Sequence, residues 1–183
     1  MQYLLQPGTP VPVLDTARLR LRCHTPGDFR DCAAMWADPM VTRFIGGVPA
    51  TAQQVWARLL KYAGLWSLLG FGYWVIEERS TGHYVGELGF AEFMRDLEPS
   101  IQGTPELGWA LVAAAHGRGY ATEAVTAVIA WGDRRFGASA TTACIISPEN
   151  GASLRVATKC GFRQSCVASL AGQPILLYSR GSG

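Results

Sequence analysis

The chain has 183 residues, 16 basic and 14 acidic side chains for a net charge of +2, and is 49% hydrophobic and 16% charged. That length fits a single domain spanning 1–183 with a substantial core, and the composition is globular rather than disordered. So small a net charge offers no global handle for nucleic acid or a membrane surface, and neither is expected as a partner.

Residues 1–16, with three prolines and a glycine, read as an extended leader, and 181–183 as a short tail. The leader lacks the basic head and apolar run of a signal peptide. No stretch approaches the roughly 20 apolar residues that a membrane helix needs, which leaves the cytoplasm as the expected compartment. Arg18-Leu19-Arg20-Leu21-Arg22-Cys23 alternates with period two, predicting a strand whose arginines form a solvated face. Pro26-Gly27-Asp28 opens a helix with Phe29, Cys32, Ala33, Met35 and Trp36 on its apolar side, and Asp38-Pro39 ends it. Ile45–Pro49 reads as a loop, and Thr51 caps a second helix running to about Leu69.

Phe71–Glu78 and His83–Phe93 form two strands in hairpin order, and Arg95–Thr104 is a polar loop. Glu106–Val112 is a strand, Tyr120–Phe136 a helix, Thr141–Ile146 a strand and Gly151–Cys160 a helix stopped by Gly161. Phe162–Val167 and Ile175–Tyr178 close the chain as strands. Hairpins mixed with helical crossovers predict an α/β fold: a mixed, mostly antiparallel central sheet of about seven strands flanked by about four helices on both faces. Trp109 and an exposed apolar edge at Ile175–Tyr178 would serve a homodimer, or equally the core.

The five cysteines (Cys23, Cys32, Cys144, Cys160, Cys166) are odd in number and contain no CxxC pair, so they read as reduced, mostly buried thiols. His24, His83 and His116 are too far apart to offer a local metal spacing, and no metal is expected.

The segment from Glu106 to Ala124 carries the chemistry. A strand leads through a short connection into His116-Gly117-Arg118-Gly119-Tyr120-Ala121-Thr122, a glycine-flanked turn that opens a long helix. Glycines let the backbone approach a ligand closely, and the first N–H groups of a helix are unpaired and carry the positive end of its dipole. Together they suit a pyrophosphate. The Gly-Lys-Ser/Thr of a Walker loop is missing. A Rossmann-type nucleotide site would need a third glycine where Thr122 stands and an acidic residue near Gly137.

The turn resembles the acetyl-CoA motif of the GNAT N-acetyltransferase superfamily, (Gln/Arg)-x-x-Gly-x-(Gly/Ala), with His116 in the first position. Gly-Tyr-Ala-Thr-Glu-Ala is similar to the RimJ/RimL-type branch. Asn150-Gly151-Ala152-Ser153 and Lys159-Cys160-Gly161-Phe162 resemble a second block of that branch, and Leu14–Leu19 with Trp36–Phe44 its N-terminal half. The resemblance implies direct acetyl transfer from acetyl-CoA to a primary amine, on a protein N-terminus or a small molecule, without a metal. It implies that Gly117, Arg118, Gly119, Tyr120, Ala121 and Thr122 hold the pyrophosphate. Ala110, Leu111 and Val112 would offer backbone N–H groups to the thioester and pantetheine, Asn150 would bond the pantetheine arm, and Ser153 would lie near the sulfur. The tyrosine that many members carry two residues before the lysine is Ala157 here, so Ser153 becomes the candidate acid. Glu106 is the candidate base, with Glu87 and Glu92 as rivals. A non-catalytic acyl-CoA-binding module remains the alternative.

Overall fold

The computed structural model describes residues 10–181; the readings of 1–9 and of 182–183 lie outside them. Nine strands form one sheet: β1 (Leu14–Asp15), β2 (Leu19–Arg22), β3 (Tyr73–Glu78), β4 (Tyr84–Ala91), β5 (Leu97–Glu98), β6 (Glu106–Leu111), β7 (Thr142–Ile146), β8 (Arg163–Leu170) and β9 (Gln173–Arg180). Their order is β1-β2-β3-β4-β6-β7-β9-β8-β5, and every neighbouring pair is antiparallel except β6 and β7.

The helices are α1 (Phe29–Ala37), α2 (Pro39–Thr42), α3 (Ala52–Leu69), α4 (Tyr120–Phe136) and α5 (Gly151–Lys159). None of the described helices is long and apolar enough to cross a membrane. Two strands beyond the expected number, β1 and β5, are two-residue pairs at the sheet edges, too short for periodicity to mark. One turn of helix, α2, is likewise unexpected; Asp38 ends α1 and then caps α2 by accepting from the Met40 N–H at 2.8 Å. The predicted leader therefore ends in β1, and the predicted loop 95–104 contains β5.

Strand alternation sorts the core into two layers. Leu19, Leu21, Trp74, Ile76, Leu88, Phe90 and Leu107 pack with Tyr120, Val125 and Val128 of α4. On the other face Ala110 meets Cys32, Met35 and Trp36 of α1, and Tyr73 and Ala91 meet Tyr62 and Leu65 of α3. Trp66, Trp74 and Trp131 contact edge to face with centroids 4.7–5.6 Å apart.

Three expectations change. The arginines of β2 and the arginine just before it are ion-paired as well as solvated, Arg18 with Glu123, Arg20 with Asp15, and Arg22 with Asp28 and Glu77. Only Cys32 and Cys144 are buried; Cys23, Cys160 and Cys166 are partly exposed because each sits near the end of an element or in the outer strand β8. Ile175–Tyr178 is no exposed edge: β9 is hydrogen-bonded between β7 and β8, and Leu177 and Tyr178 are buried.

Candidate active site

The parallel pair β6 and β7 touches at one register point, Glu106 opposite Ala143. Beyond it the two strands diverge, because β6 stays paired with β4 through Leu111 while β7 follows β9. A splayed pair leaves backbone N–H and C=O groups without a ladder partner, and these are obligatory hydrogen-bonding groups. A cavity of about 530 Å³ opens there, well within the range of small-molecule sites.

At one end of the cavity stands the N-terminus of α4. Gly119 occupies the N-cap in the left-handed region at φ 80°, and Gly117 precedes it at φ 73°. A glycine cap has no side-chain oxygen to accept from the first turn, and no side-chain cap bond forms. The first N–H groups of α4 thus take no partner from a cap side chain, an arrangement that suits an anion. Glu123, one turn in, accepts from the Thr16 hydroxyl at 2.6 Å, the Arg18 N–H at 2.9 Å and Arg18 Nε at 2.7 Å, which locks β2 against the helix. Burial opposes its ionisation, but these donors outweigh that and hold its carboxyl below the usual range.

Of the residues proposed from sequence, Ala110, Leu111, Gly117, Gly119, Tyr120, Ala121, Thr122, Asn150 and Ser153 line this one cavity. Glu106, Val112 and Arg118 do not line it. Val112 donates its N–H to Val85 O at 3.0 Å. Arg118 Nη2 donates to Glu78 at 2.9 Å and to the Tyr120 hydroxyl at 2.6 Å. His116 lines the cavity with its Nε2 3.0 Å from the Leu111 carbonyl. Asn150 caps α5, its Oδ1 accepting from Ser153 N at 3.0 Å. Ala157 is fully buried.

Met40, Val41, Phe44 and Ile45 reach the cavity from α2 and the turn after it, with the cations Arg43, Arg155 and Lys159; sequence reading held Val41, Arg43, Phe44 and Lys159 only within family-like segments, without a cofactor role, and missed Ile45 and Arg155. Ala152, Ser153, Arg155, Val156 and Lys159 fall at helical spacing, so the period of α5 was the signal that could have found two of them.

Glu106, Gly108 and Ala110 point to the α1–α3 face. Glu106 is 4% exposed and takes two bonds from Arg95, at 2.7 and 2.9 Å. Above Gly108 stands the Tyr73 hydroxyl, so near that a Cβ on Gly108 would lie 2.1 Å from it. Tyr73 is stacked on Tyr62, with centroids 4.5 Å apart at 3°. Burial, with Glu106 and Glu87 nearby, pushes the Tyr73 phenol up, so it stays a neutral O–H donor at pH 7. Glu87 Oε1 accepts from Trp36 Nε1 at 3.0 Å and from the Tyr62 hydroxyl. Glu92 holds the loop by accepting from the Gly103 N–H at 2.8 Å. His83 is exposed beside the β3–β4 turn.

Comparison with known proteins bears on this geometry. The family model described as an acetyltransferase (GNAT) domain matches residues 18–163. An uncharacterised protein of Bacillus subtilis (strain 168), YkkB, is 31% identical over 181 residues, covering 92% of this chain and 95% of its own length. A structure from Bordetella pertussis assigned to the GnaT acetyltransferase family superposes with a TM-score of 0.81 at 32% identity, covering 93% of this chain and 100% of that one. RimL, a ribosomal-protein α-N-acetyltransferase solved with coenzyme A, shares the fold at a TM-score of 0.71 and 14% identity, over 92% of this chain and 97% of its own.

Proposed function

The chain belongs to the GNAT acetyltransferase family, and from that premise we propose that it is an acetyl-CoA-dependent N-acetyltransferase of the RimJ/RimL-type branch. It acts in the cytoplasm on a primary amine. One observation carries the reading: the splay between β6 and β7 runs into a helix start whose glycine cap leaves its N–H groups to a ligand. Cavity cations Arg43, Arg155 and Lys159 suit the phosphates of the same cosubstrate.

In this reading the backbone from Gly117 to Thr122 holds the pyrophosphate and Arg118 lends charge from the rim. Backbone groups of Ala110 and Leu111 face the pantetheine arm and thioester, Val112 drops out because its N–H is given to Val85 O, and Asn150 and Ser153 meet the arm from α5. Acetyl-CoA, when bound, would supply the activated thioester. The chain supplies the proton transfers. An alkyl ammonium is protonated at pH 7 and must lose a proton before its nitrogen can attack. Glu106, which lies outside the cavity lining, takes that proton through water; each oxygen keeps a lone pair beside its Arg95 bond. The new N–C bond forms as the C–S bond breaks; the Ser153 hydroxyl passes a proton to the departing sulfur and regains one from the nitrogen, which sheds it in becoming an amide. RimL shares the fold and acts on a protein α-amine, so peptide N-termini come first among acceptors, ahead of small amines.

The competing reading is a non-catalytic acyl-CoA-binding module, favoured by the two-point Arg95 hold on Glu106 and the buried alanine at position 157. Thermal unfolding with acetyl-CoA, coenzyme A or NAD separates the possibilities. A ligand at a hundred times its Kd adds about 2.7 kcal/mol. Acetyl-CoA and coenzyme A should shift Tm and NAD should not, and peptide amines should then release free thiol. Glu106→Gln should keep the shift and lose about 10²–10⁴-fold in kcat. No shift with either CoA species would remove the proposal. A shift without thiol release on any amine would favour the module, and full turnover by Glu106→Gln would remove Glu106 as the base.

A further inference from the structure

His24 follows β2 by two residues, Cys32 lies within α1, and Glu87 sits mid-strand in β4. Their donor atoms converge to within 4.8 Å of one another. His24 Nε2 is 3.6 Å from Glu87 Oε2, and Cys32 Sγ is 4.0 Å from the same oxygen. The His24 and Glu87 side chains are 2% and 1% exposed.

Neither ring nitrogen of His24 has a hydrogen-bond partner although both are buried. Buried polar atoms in native proteins are almost always satisfied, and an exception calls for a bound water or ion. At 3.6 Å the carboxylate is too far to be a hydrogen-bond partner of the ring. Glu87 is divided in a telling way: Oε1 takes both strong donors, Trp36 Nε1 and the Tyr62 hydroxyl, and leaves Oε2 facing His24 and Cys32. An outer pair of donors fixing one oxygen while the other faces inward is how ligating carboxylates are oriented.

We propose that His24, Cys32 and Glu87 form a zinc site that fastens α1 and the end of β2 to the centre of the sheet. Zinc bonds of 2.0–2.3 Å in tetrahedral geometry put neighbouring donors about 3.3–3.8 Å apart. The two contacts to Glu87 Oε2 are already at or near that spacing, and His24 and Cys32 need to close by up to about an ångström. The Tyr84 hydroxyl, 3.4 Å from Cys32 Sγ and 3.5 Å from Glu87 Oε2, stands at the fourth corner, to bind or to hold a water there. One thiolate and one carboxylate neutralise the divalent charge, which an interior site needs. Nitrogen and sulfur donors favour zinc and disfavour magnesium or calcium. Three separate stretches supply the ligands, so no local spacing could announce them.

The full chain, stripped with a chelator, should take up one Co²⁺ with a thiolate-to-cobalt charge-transfer band that Zn²⁺ abolishes. Zinc at a hundred times its Kd should raise Tm by about 5–10 °C. Cys32→Ser and His24→Gln should each lose both signals, while Cys160→Ser keeps them. X-ray absorption at the zinc edge of the unaltered protein needs no variant and should show one sulfur at about 2.3 Å with nitrogen and oxygen neighbours. The absence of a charge-transfer band, its survival in Cys32→Ser, or a zinc shell without sulfur would overturn the proposal.

Discussion

Gly108→Ala tests how closely Tyr73 is pressed onto β6. The added methyl would stand 2.1 Å from the Tyr73 hydroxyl, and the next atom, Cζ, is 3.4 Å away. Tyr73 cannot swing aside freely, since it is 7% exposed and stacked on Tyr62. Overpacking of this kind costs about 1–3 kcal/mol. Replacing a strand glycine by alanine returns about 0.5–1 kcal/mol of backbone entropy. The net loss is then about 0–2.5 kcal/mol, at most several degrees in Tm for a domain this size. Tyr73→Phe removes the one atom in collision and leaves Cζ in van der Waals contact. In that background Gly108→Ala should be neutral or slightly stabilising, so the sign of its effect reverses. Urea unfolding of the four proteins of this cycle measures a coupling of about 1–3 kcal/mol. An equal cost in both backgrounds would refute the steric argument.

Two further outcomes follow from the same kind of reasoning. Asn150→Ala removes the α5 cap and should cost about 1 kcal/mol by urea unfolding; it should also shrink the Tm shift given by acetyl-CoA, and an unchanged shift would separate the cap from the cofactor. Burial opposes ionisation of Asp28, but hydrogen bonds from Arg22 and Thr25 overcome it and lower its pKa. A carboxyl lowered in the folded state contributes stability above its unfolded value of about 3.9 and loses it as pH falls through the lower folded value. Asp28→Asn should therefore cost about 1.5–3 kcal/mol near pH 7, and the gap to the unaltered protein should narrow below about pH 4. A gap independent of pH down to acid unfolding would contradict the assignment.

Much of the molecule was legible because its signals are local. Alternation at Arg18–Cys23 specified β2, and the cap at Thr51 marked the start of α3. Glycines 117 and 119 announced a left-handed turn into α4 because only that residue type takes such a backbone cheaply. The two-residue edge strands and the single turn of α2 left no trace, being shorter than any period. The Ile175–Tyr178 segment was misplaced for a different reason: apolar content does not say which strands flank it.

By itself, then, the sequence determined the longer elements, the family resemblance and most of the backbone that lines the cavity, since each depends on neighbours along the chain. Tertiary structure alone decided that β6 and β7 part after one register point. It also decided that Arg95 holds Glu106, that Tyr73 covers Gly108, and that His24, Cys32 and Glu87 meet. Those contacts join residues brought together by strand order and helix packing, and no spacing along the chain encodes the distance between them.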